Sequence, residues 1–552
     1  MIYSNKELAQ LIIEYCIAYQ VEHAIISPGS RNAPLTIGFT NHSSIKTYSI
    51  VDERCAAFFA LGIAQQAKKP VVLVCTSGSA LLNYYPAVAE AFYSNIPLVV
   101  ISADRPKHLI DIGDGQTIRQ ESVFKNHSLY NANLMDGDEY INENATQIAT
   151  AIKIALLNKG PVHINVPFDE PLYVTTKKLS IENIDLEIDT IETEWAYDFK
   201  EYASIWNNSK KKLVIVGAHF PSKELQLQLS KLAMDESVLI FTETTSNIHH
   251  STFINSIDKL IFGLSDKEFE KVQPEILLTL GGMIVSKKIK QLLRIYQPKH
   301  HWHIDAKNAP DTYHCLSHHF KIDDTVFFDE FLELTKPASS NYKEYGLELK
   351  QRRNEKHDQF LLNVEFSDLK VFDLVLASIP NNTHLQLGNS SIIRYSQLFD
   401  VTNSVNIFCN RGTSGIDGST STAIGASQVG NNQTVFISGD ISFFYDSNGL
   451  WNNYIKNNFR IILINNGGGG IFRFIPGPSS TNAIDYFETP HQLTATQLCE
   501  MHHFDYYSAK NEDELNKKLC SFYTVGNAPK LLEIFTPNSI NDVILNRYFL
   551  SI

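Results

Sequence analysis

Short apolar runs separated by amphipathic stretches recur through the first 180 residues of the chain. Alternation of strand-length and helix-length patterns is typical of βαβ units, and it predicts a parallel sheet with helices on both faces. The predicted strands cover residues 23–27, 47–51, 70–75, 97–102 and 161–166. Among the predicted helices are residues 55–67 and an N-terminal helix over residues 4–19, in which Ser4 and Glu7 form a capping box.

The same alternation returns twice further along the chain. Predicted strands cover residues 212–217, 237–242, 275–281 and 301–305, and then residues 384–387, 405–409, 434–438, 460–464 and 530–535. The fold class is therefore predicted as α/β, with three doubly wound parallel-sheet domains. We place these domains at residues 1–180, 199–338 and 360–552, with an acidic linker over residues 177–198.

Composition narrows the choice of partners and compartment. The 552 residues carry a net charge of -13, which argues against nucleic acid and anionic membranes because both require clustered Lys and Arg. No apolar run approaches the roughly 18 residues of a membrane span, and the first residues lack a signal-like pattern, so a cytoplasmic protein is expected. Seven cysteines without a C-x-x-C pair favour reduced thiols.

Two predicted strands near the C-terminus end in residues that suit a metal and phosphate site. Residues 434–438 are followed by Gly439 and Asp440, and residues 460–464 by Asn465 and Asn466. A helix beginning within residues 448–454 is predicted between the two strands. Because parallel strands end at one edge of a sheet, these oxygens should lie together, and they suit Mg2+ bound beside phosphates. Taken singly, each half is more often structural, a strand-end Asp that caps a helix or a glycine-rich turn, and only the pairing favours a metal and phosphate site.

Arginine is scarce but occurs at turns. The arginines in or beside turns rich in Gly, Ser or Pro are Arg31, Arg105, Arg394, Arg411 and Arg473. A planar guanidinium binds carboxylates well, so this placement indicates anion recognition, although the turn over residues 28–35 is equally consistent with a structural role. Six histidines between residues 300 and 319 lack an HExxH or CxxC spacing, which favours strand-end histidines over a metal site.

The pairing of Gly439-Asp440 with Asn465-Asn466 resembles the thiamin diphosphate (ThDP) signature of enzymes such as acetolactate synthase and pyruvate decarboxylase. This resemblance implies ThDP as the cofactor, with Mg2+ or Mn2+ held by Asp440, Asn466 and the Gly468 carbonyl. Asn465 stays open as the alternative amide ligand. The resemblance also implies that Glu53 contacts the pyrimidine of the cofactor, although an acid at a helix start is often only a cap.

Further stretches narrow the resemblance to the 2-succinyl-5-enolpyruvyl-6-hydroxy-3-cyclohexene-1-carboxylate synthases of menaquinone biosynthesis, the MenD family. These stretches are residues 27–31, 102–106, 115–117, 388–390, 410–418 and 465–472, with a shorter match at 281–287 in the middle domain. Such enzymes decarboxylate 2-oxoglutarate and add the resulting succinyl carbanion equivalent to isochorismate. The three domains are then pyrimidine-binding, middle and diphosphate-binding. The alternative is another ThDP-dependent 2-oxo acid decarboxylase or an acetolactate-synthase-like carboligase.

The family resemblance implies two sets of site residues. The catalytic and substrate-contacting set is Glu53, Arg31, Arg105, Gln116, Ser390, Arg394 and Arg411, and Lys287 is a further candidate. The cofactor set is Glu53, Ser77, Gly78, Gly415, Ile416, Gly439, Asp440, Ile441, Ser442, Asn466, Gly468, Gly469, Ile471 and Phe472. The resemblance implies a homodimer or homotetramer in which the pyrimidine lies on the first domain of one subunit and the diphosphate on the third domain of its partner. Glu53 and Asp440 of one active site are then expected to come from different chains.

Overall fold

The computed structural model describes residues 2–181, 197–474 and 477–552. The first part of the chain forms a six-stranded parallel sheet in the order β3-β2-β4-β5-β7-β6, and β1 pairs with β8 separately. The strands are β1 (Tyr3–Ser4), β2 (His23–Ile26), β3 (Lys46–Ser49), β4 (Val71–Cys75), β5 (Leu98–Asp104), β6 (Asn131–Asn133), β7 (Val162–Pro167) and β8 (Thr175–Thr176). The helices are α1 (Glu7–Ala18), α2 (Ala33–Asn41), α3 (Glu53–Ala67), α4 (Ser79–Asn83), α5 (Tyr85–Ser94) and α6 (Ile141–Asn158).

The middle part forms a five-stranded parallel sheet in the order β10-β9-β11-β12-β13. Its strands are β9 (Lys212–Val216), β10 (Val238–Phe241), β11 (Ile276–Leu280), β12 (His300–Ile304) and β13 (Leu316–Phe320). Its helices are α7 (Lys200–Asn208), α8 (Lys223–Leu232), α9 (Ile257–Ile261), α10 (Asp266–Val272), α11 (Lys287–Ile295) and α12 (Asp324–Leu334). The long helix α13 (Tyr342–Leu362) leads from this sheet to the third.

The third sheet is parallel, with six strands in the order β15-β14-β16-β17-β19-β18. Its strands are β14 (His384–Leu387), β15 (Asn406–Cys409), β16 (Thr434–Gly439), β17 (Phe459–Asn465), β18 (Asp505–Ala509) and β19 (Lys530–Phe535). Its helices are α14 (Asp368–Ser378), α15 (Ser391–Ser396), α16 (Ser419–Ala426), α17 (Asp440–Tyr445), α18 (Ile471–Phe474), α19 (Ala483–Glu488), α20 (Thr496–Met501), α21 (Glu512–Phe522) and α22 (Asn541–Ser551).

The first and third sheets share one topology. In each, the six strands taken in chain order are arranged 2-1-3-4-6-5 across the sheet. The central strands β4, β5, β16 and β17 are almost continuously apolar and buried, as expected for strands covered by helices on both faces. The predicted α/β class with doubly wound parallel sheets is thus confirmed, and the predicted domain limits stay a prediction.

Helices α3 and α16 join the first and third sheets through a close helix crossing. A Cβ at Gly62 would lie 2.1 Å from the Thr422 carbonyl oxygen, and one at Gly425 would lie 2.0 Å from the Phe59 carbonyl oxygen. Side chains at these two positions would therefore separate the helices. The small residues of α16 allow the backbones to touch, and this contact brings the start of α3 next to the third sheet.

Two sequence predictions of helix limits are wrong. Ser4 belongs to β1, where its Oγ accepts a hydrogen bond from the Lys6 amide, so α1 begins at Glu7 without the predicted capping box. Residues 448–454 do not begin a helix; instead α17 starts directly at Asp440, and a single 3-10 turn follows at Ser447–Leu450. Most of the predicted linker, residues 182–196, lies outside the described residues.

The strand-end histidines of the middle sheet have ordinary polar partners. Thr279 Oγ1 lies 2.9 Å from His301 Nε2 and 2.8 Å from His303 Nδ1. Burial lowers the pKa of both imidazoles to about 4. Within the described ranges no group of three His, Cys, Asp or Glu side chains is arranged to hold a metal ion, and no helix is long and apolar enough to cross a membrane.

Candidate active site

Asp440 lies at the carboxyl end of β16 and is 3% exposed. Its Oδ2 accepts hydrogen bonds from the Gly467 and Gly468 amides, at 2.8 and 3.0 Å, and its Oδ1 accepts one from the Ile441 amide at 2.7 Å. Burial raises the pKa of this carboxyl group, and the three amides oppose that rise. The carboxylate is therefore held in one orientation at the edge where β16 and β17 both end.

The two adjacent asparagines at the end of β17 have different environments. Asn465 donates to Glu533 Oε1 at 2.7 Å and to the Leu493 carbonyl at 2.9 Å, and its Oδ1 accepts from Gly467. Asn466 donates to Asp368 Oδ2 at 3.1 Å, but its buried Oδ1 has no hydrogen-bond partner in the described parts of the chain. Unpartnered buried oxygens are uncommon in proteins, so Asn466 Oδ1 is the one available to a cation.

The donor set fits a hard divalent cation. Asp440 offers a carboxylate, Asn466 an unpartnered amide oxygen, and the turn after β17 a backbone carbonyl at Gly468, all of which are oxygen ligands that Mg2+ or Mn2+ accepts. Gly467 has φ +77, and a Cβ at Gly468 would lie 2.8 Å from the Glu488 carbonyl oxygen. These two positions therefore require glycine, and the backbone there stays open to a phosphate.

The residues after this turn form its outer wall. Ile471 and Phe472 begin α18 and are half-buried, and the Phe472 ring lies 5.2 Å from that of Phe487. Glu488 accepts two hydrogen bonds from Arg473, at 2.6 and 3.0 Å, while its carbonyl accepts the Gly469 amide at 2.6 Å. The predicted cofactor residues Gly468, Gly469, Ile471 and Phe472 thus lie together beside α19.

A second loop reaches the same edge from β15. The Asn389 side chain donates to the Gly415 carbonyl at 2.7 Å, and Ser442 Oγ donates to the Ile416 carbonyl at 3.2 Å. The predicted residues Gly439, Ile441 and Ser442 belong to the end of β16 and the start of α17. The structure therefore brings the third-sheet cofactor residues of the prediction into one continuous region.

Glu53 is the first residue of α3 and is half-buried. Its neighbour Asp52 caps the helix by accepting the Cys55 amide, and Asp52 also accepts a hydrogen bond from Asn448 at 2.9 Å. Arg54 donates to the Asp417 carbonyl. Because Asp52 already supplies the cap, Glu53 is free of that structural role. The charge of Glu53 adds to the raised pKa of the buried Cys75 and Tyr84, so Glu53 lies near the end of β4.

The predicted residues of the first sheet gather at the ends of β2, β4 and β5. Arg31 Nη1 donates to the Phe168 carbonyl at 2.9 Å, and Arg105 Nη2 donates to the Gly115 carbonyl at 3.0 Å. Burial, and then the charge of Arg105, lower the pKa of Arg31, so the two guanidiniums are neighbours. Gln116 is exposed, and its backbone packs against Gly78; Ser77 Oγ is buried and unpartnered in the described structure.

Arg394 and Arg411 form a second arginine pair, at the edge of the third sheet. Burial, and then the charge of Arg411, lower the pKa of Arg394. Arg411 Nη1 donates to Asn389 Oδ1 at 2.9 Å, whereas Arg394 makes no hydrogen bond or ion pair with any described residue. Two predicted site residues have backbone in the left-handed region. Ser390, in the third sheet region, has φ +67, and Gln116, in the first sheet region, has φ +57. Such backbone is uncommon for these residues and often marks functional sites.

Glu90 in α5 ties the loop of Arg411 to the first sheet. Its carboxylate accepts the Gly412 amide at 2.7 Å, the Thr413 amide at 2.6 Å and Thr413 Oγ1 at 2.8 Å. Glu90 is 1% exposed. This buried carboxylate therefore fixes the backbone on which Arg411 stands.

Sequence reasoning missed several residues that shape the site. Asp368 accepts hydrogen bonds from Asn466 and, at 2.6 Å, from Thr536, and burial raises its pKa to about 6. His491 Nε2 lies 3.3 Å from Asp440 Oδ2, and its Nδ1 accepts the Leu493 amide at 3.1 Å. Glu90 and Glu488 are further examples. None of the four belongs to a local motif, because each meets its partner only through the tertiary fold.

The fold and the site together define a class of protein. A model of the N-terminal TPP-binding domain of thiamine pyrophosphate enzymes matches residues 6–127, which contain Arg31, Glu53 and Gly78. Thiamine pyrophosphate and thiamin diphosphate are the same cofactor. The chain is thus a ThDP-dependent enzyme.

Relatives over the full length specify the family. A 2-succinyl-5-enolpyruvyl-6-hydroxy-3-cyclohexene-1-carboxylate synthase of Flavobacterium psychrophilum is 55% identical, covering 100% of this chain and 99% of that protein. The synthase of Flavobacterium johnsoniae is 54% identical with the same coverage, and that of Porphyromonas gingivalis is 36% identical over 99% of this chain and 97% of its own. The chain belongs to this synthase family. It is therefore a ThDP-dependent transferase of menaquinone biosynthesis, and these relatives support the first functional prediction over the alternative carboligase.

Proposed function

We propose that this protein decarboxylates 2-oxoglutarate and adds the resulting succinyl carbanion equivalent to isochorismate. Membership of the synthase family supports the reaction, and the site supports the choice of anionic substrates. When bound, ThDP supplies the electron sink that stabilises the carbanion equivalent, so the protein itself must bind, orient and exclude water. No oxidant or reductant is required.

Asp440, Asn466 and the Gly468 carbonyl would hold Mg2+ or Mn2+, and the Gly467–Gly470 turn would face the diphosphate. The unpartnered Asn466 Oδ1 supports this assignment most directly. Gly415, Ile416, Gly439, Ile441, Ser442 and Gly469 would complete the cofactor wall, with Ser77 and Gly78 from the first sheet. Ile471 and Phe472 would form its apolar side.

Glu53 would hold a proton at the pyrimidine side of the cofactor. Its place supports this role because Asp52, not Glu53, caps α3. A half-buried carboxylate at the start of α3, near the end of β4, is positioned to accept and return a proton without full exposure to water.

The arginines would bind the carboxylates of the two substrates. Arg394 carries this proposal: a half-buried guanidinium with no partner in the described chain is expected to bind an anion. Arg411, Arg31 and Arg105 add further cations, and Ser390 and Gln116 add polar groups on backbone of positive φ. An acidic protein needs such local cationic sites to hold dianionic substrates.

The test supplies 2-oxoglutarate to the enzyme loaded with ThDP and Mg2+, with and without isochorismate, and follows CO2 and product mass. The proposal expects CO2 release coupled to an adduct that contains both substrates after loss of one CO2. An enzyme that releases CO2 from pyruvate faster than from 2-oxoglutarate, and forms no adduct with isochorismate, would instead be the alternative carboligase.

We further propose that the first, middle and third sheet regions act as pyrimidine-binding, middle and diphosphate-binding domains in a homodimer or homotetramer. The family resemblance supports an active site shared between chains. The contacts of Asp52 with Asn448 and of Arg54 with Asp417 within one chain favour the competing possibility, a site completed by a single polypeptide.

Mixing two inactive variants separates the two possibilities. Glu53→Gln and Asp440→Ala proteins are mixed under conditions that exchange subunits, and differential tags confirm the exchange. With a shared site, half of the dimers are hybrids and each hybrid has one intact site, so activity should recover to about a quarter of wild type. A site within one chain predicts no recovery at any mixing ratio.

A further inference from the structure

Helix α11 of the middle sheet region brings a third cation to the Arg394–Arg411 pair. Lys290 lies one turn into α11 and is half-buried. Burial lowers the pKa of its ammonium group. Glu243 opposes this shift, and the positive charges of Arg411, Arg294 and Arg394 add to it. Lys290 makes no hydrogen bond or ion pair with any residue of the described chain. Several positive charges thus converge where the middle sheet meets the third.

The start of α11 is fixed in place by a buried carboxylate. Glu243, which follows β10 and is 3% exposed, accepts the Val285 amide at 2.6 Å and the Ser286 amide at 2.8 Å. Ser286 Oγ caps α11 by accepting the Ile289 amide, and it also donates to Asp258. The position of the helix start is therefore set by the protein rather than by a ligand.

The same segment joins the hydrophobic core that includes the helix carrying Arg394. Val285 belongs to the hydrophobic core of the third sheet, together with Ile392 and Ile393 of α15. The turn after β10 is bound to the third sheet region too, because Thr244 accepts a hydrogen bond from Gln397 at 2.5 Å. Helices α11 and α15 consequently hold Lys290 and Arg394 in a defined relation.

The negative charge inside this cluster does not balance the cations. Two acids act on the cluster: Glu243 acts on Lys290, and Asp258 acts on Arg394 more strongly than Glu243 does. The Glu243 carboxylate is already engaged by two backbone amides, and burial raises its pKa to about 7. Asp258 already accepts a hydrogen bond from Ser286 Oγ, and burial raises its pKa. Lys290, Arg294, Arg394 and Arg411 therefore outnumber these two acids, and an excess of cations is unfavourable in a half-buried site. Such a cluster is stabilised when an anionic ligand enters it.

We propose that Lys290 completes, with Arg394 and Arg411, a three-cation site for a carboxylate group of a substrate. This inference rests on the proposed function and names a residue of the middle sheet region as part of the substrate site. The neighbouring lysines are less suited. Lys288 Nζ lies 3.7 Å from the centre of the Phe262 ring, and the Lys287 side chain is exposed.

Both substrates of the proposed reaction carry two carboxylates, so the site could receive either one. Lys290 contributes a compact charge with three rotatable donors, whereas the arginines contribute planar forks. The combination suits a single carboxylate held from two sides. Removal of Lys290 should weaken the binding of the substrate whose carboxylate occupies this site and leave the binding of the other substrate unchanged.

The test compares Lys290→Met and Lys290→Arg with Lys223→Met, an exposed lysine at the start of α8 in the same sheet region. Lys290→Met should raise the KM of either 2-oxoglutarate or isochorismate by about tenfold or more, with a smaller change in kcat, because one charged contact is lost. Lys290→Arg should restore part of that loss, and Lys223→Met should match wild type. The substrate whose KM rises identifies the carboxylate. Thermal melts and ThDP titration confirm folding and cofactor binding.

Equilibrium binding of succinate, an unreactive dicarboxylate, provides a readout independent of the reaction. Lys290→Met should weaken succinate binding about tenfold relative to Lys223→Met, whatever the reaction catalysed. Unchanged KM values and unchanged succinate affinity in a folded Lys290→Met protein would overturn the inference. If wild type forms no adduct while Lys290→Met still weakens succinate binding, the proposed reaction is wrong and the anion site stands.

Discussion

The edges of the first and third sheets have the same strand order but present their charged groups differently. At the third sheet, Asp440 is held by three backbone amides, and Arg394 has no partner in the described structure. At the first sheet, Arg31 donates to the Phe168 carbonyl and lies 3.4 Å from Glu170, while Arg105 donates to the Gly115 carbonyl. The edge of the third sheet thus holds one cation without a partner in the described structure, Arg394, beside Arg411, which donates to Asn389, whereas both cations at the edge of the first sheet are engaged by loop groups.

This difference separates two ways of building a binding site. A cation without a partner gains the full free energy of its interaction with an incoming carboxylate. A cation that must first leave a carbonyl or an acid gains only the difference between the new interaction and the one it gives up. The edge of the third sheet should therefore supply most of the free energy of substrate binding. The first edge, whose Gln116 is exposed, should act more on orientation.

The largest expected effect comes from Asp440→Ala. This change removes the proposed charged ligand of the metal and frees the Gly467 and Gly468 amides, so Mg2+-dependent ThDP binding should be lost. Isothermal titration of ThDP with Mg2+ measures it. Asp485→Ala, at an exposed position in α19, is the matched control and should bind as wild type does. Equal ThDP affinity in both variants would show that the third edge is not the diphosphate site.

How much of this site the sequence predicts depends on whether a residue belongs to a local pattern. Asp440 and Asn466 were predictable because each directly follows a buried strand, and such strand ends meet at one edge. Asp368 was not predictable: it is 98 residues from Asn466 and reads as an ordinary acid at a helix start. Glu90 likewise meets the Arg411 loop across 322 residues.

The fold shows the same limit. The predicted strands with strong apolar runs were correct, whereas three strands of the three large sheets went unrecognised: Asn131–Asn133, Leu316–Phe320 and Asp505–Ala509. Each of them lies at an edge of its sheet and carries polar residues. The helix predicted within residues 448–454 failed because Gly449 packs against Ser421 of α16, a contact that replaces a regular helix with one turn.

Arginine-to-lysine changes test the comparison between the two edges. Arg394→Lys should lower kcat/KM by about tenfold or more, because the fork is lost from a guanidinium that has no partner in the described structure. Arg411→Lys should lower it less, because Arg411 Nη1 already donates to Asn389. Arg31→Lys and Arg105→Lys should lower it less, since their guanidiniums already share hydrogen bonds with the protein. Steady-state kinetics with each substrate varied in turn measures all four. Equal losses of kcat/KM in Arg394→Lys and in the two first-sheet variants would show that a guanidinium without a partner binds the substrate no more strongly than one already engaged by the protein.

Glu90→Gln should lower kcat/KM by a smaller amount, because Glu90 connects α5 beside the first sheet to the Arg411 loop of the third sheet. In the wild type, one carboxylate oxygen accepts the Gly412 amide and the other accepts the Thr413 amide and hydroxyl. Glutamine keeps only one acceptor oxygen, so it cannot accept all three hydrogen bonds. The loop of Arg411 should loosen, so kcat/KM should fall by roughly threefold to tenfold, corresponding to about 1 kcal/mol. ThDP affinity should change little, because the diphosphate residues lie on other elements. A loss of ThDP binding equal to that of Asp440→Ala would mean that Glu90 supports the whole fold.

The smallest effect on the chemistry should come from Asn465→Ala, despite its position next to Asn466. Asn465 uses its amide to satisfy Glu533 and the Leu493 carbonyl, and it is 5% exposed. Its removal leaves a buried carboxylate short of a donor, which should cost roughly 1 to 3 kcal/mol of folding stability while Mg2+-dependent ThDP affinity stays near wild type. Asn466→Ala should weaken ThDP binding, because its unpartnered Oδ1 is the proposed ligand. It should cost some stability as well, because the buried Asp368 loses the Asn466 donor and keeps only Thr536 among these two. Thermal melts of both apoproteins, with ThDP titrations beside them, separate the two roles. If Asn465→Ala weakens cofactor binding more than Asn466→Ala does, the metal ligand has been assigned to the wrong asparagine.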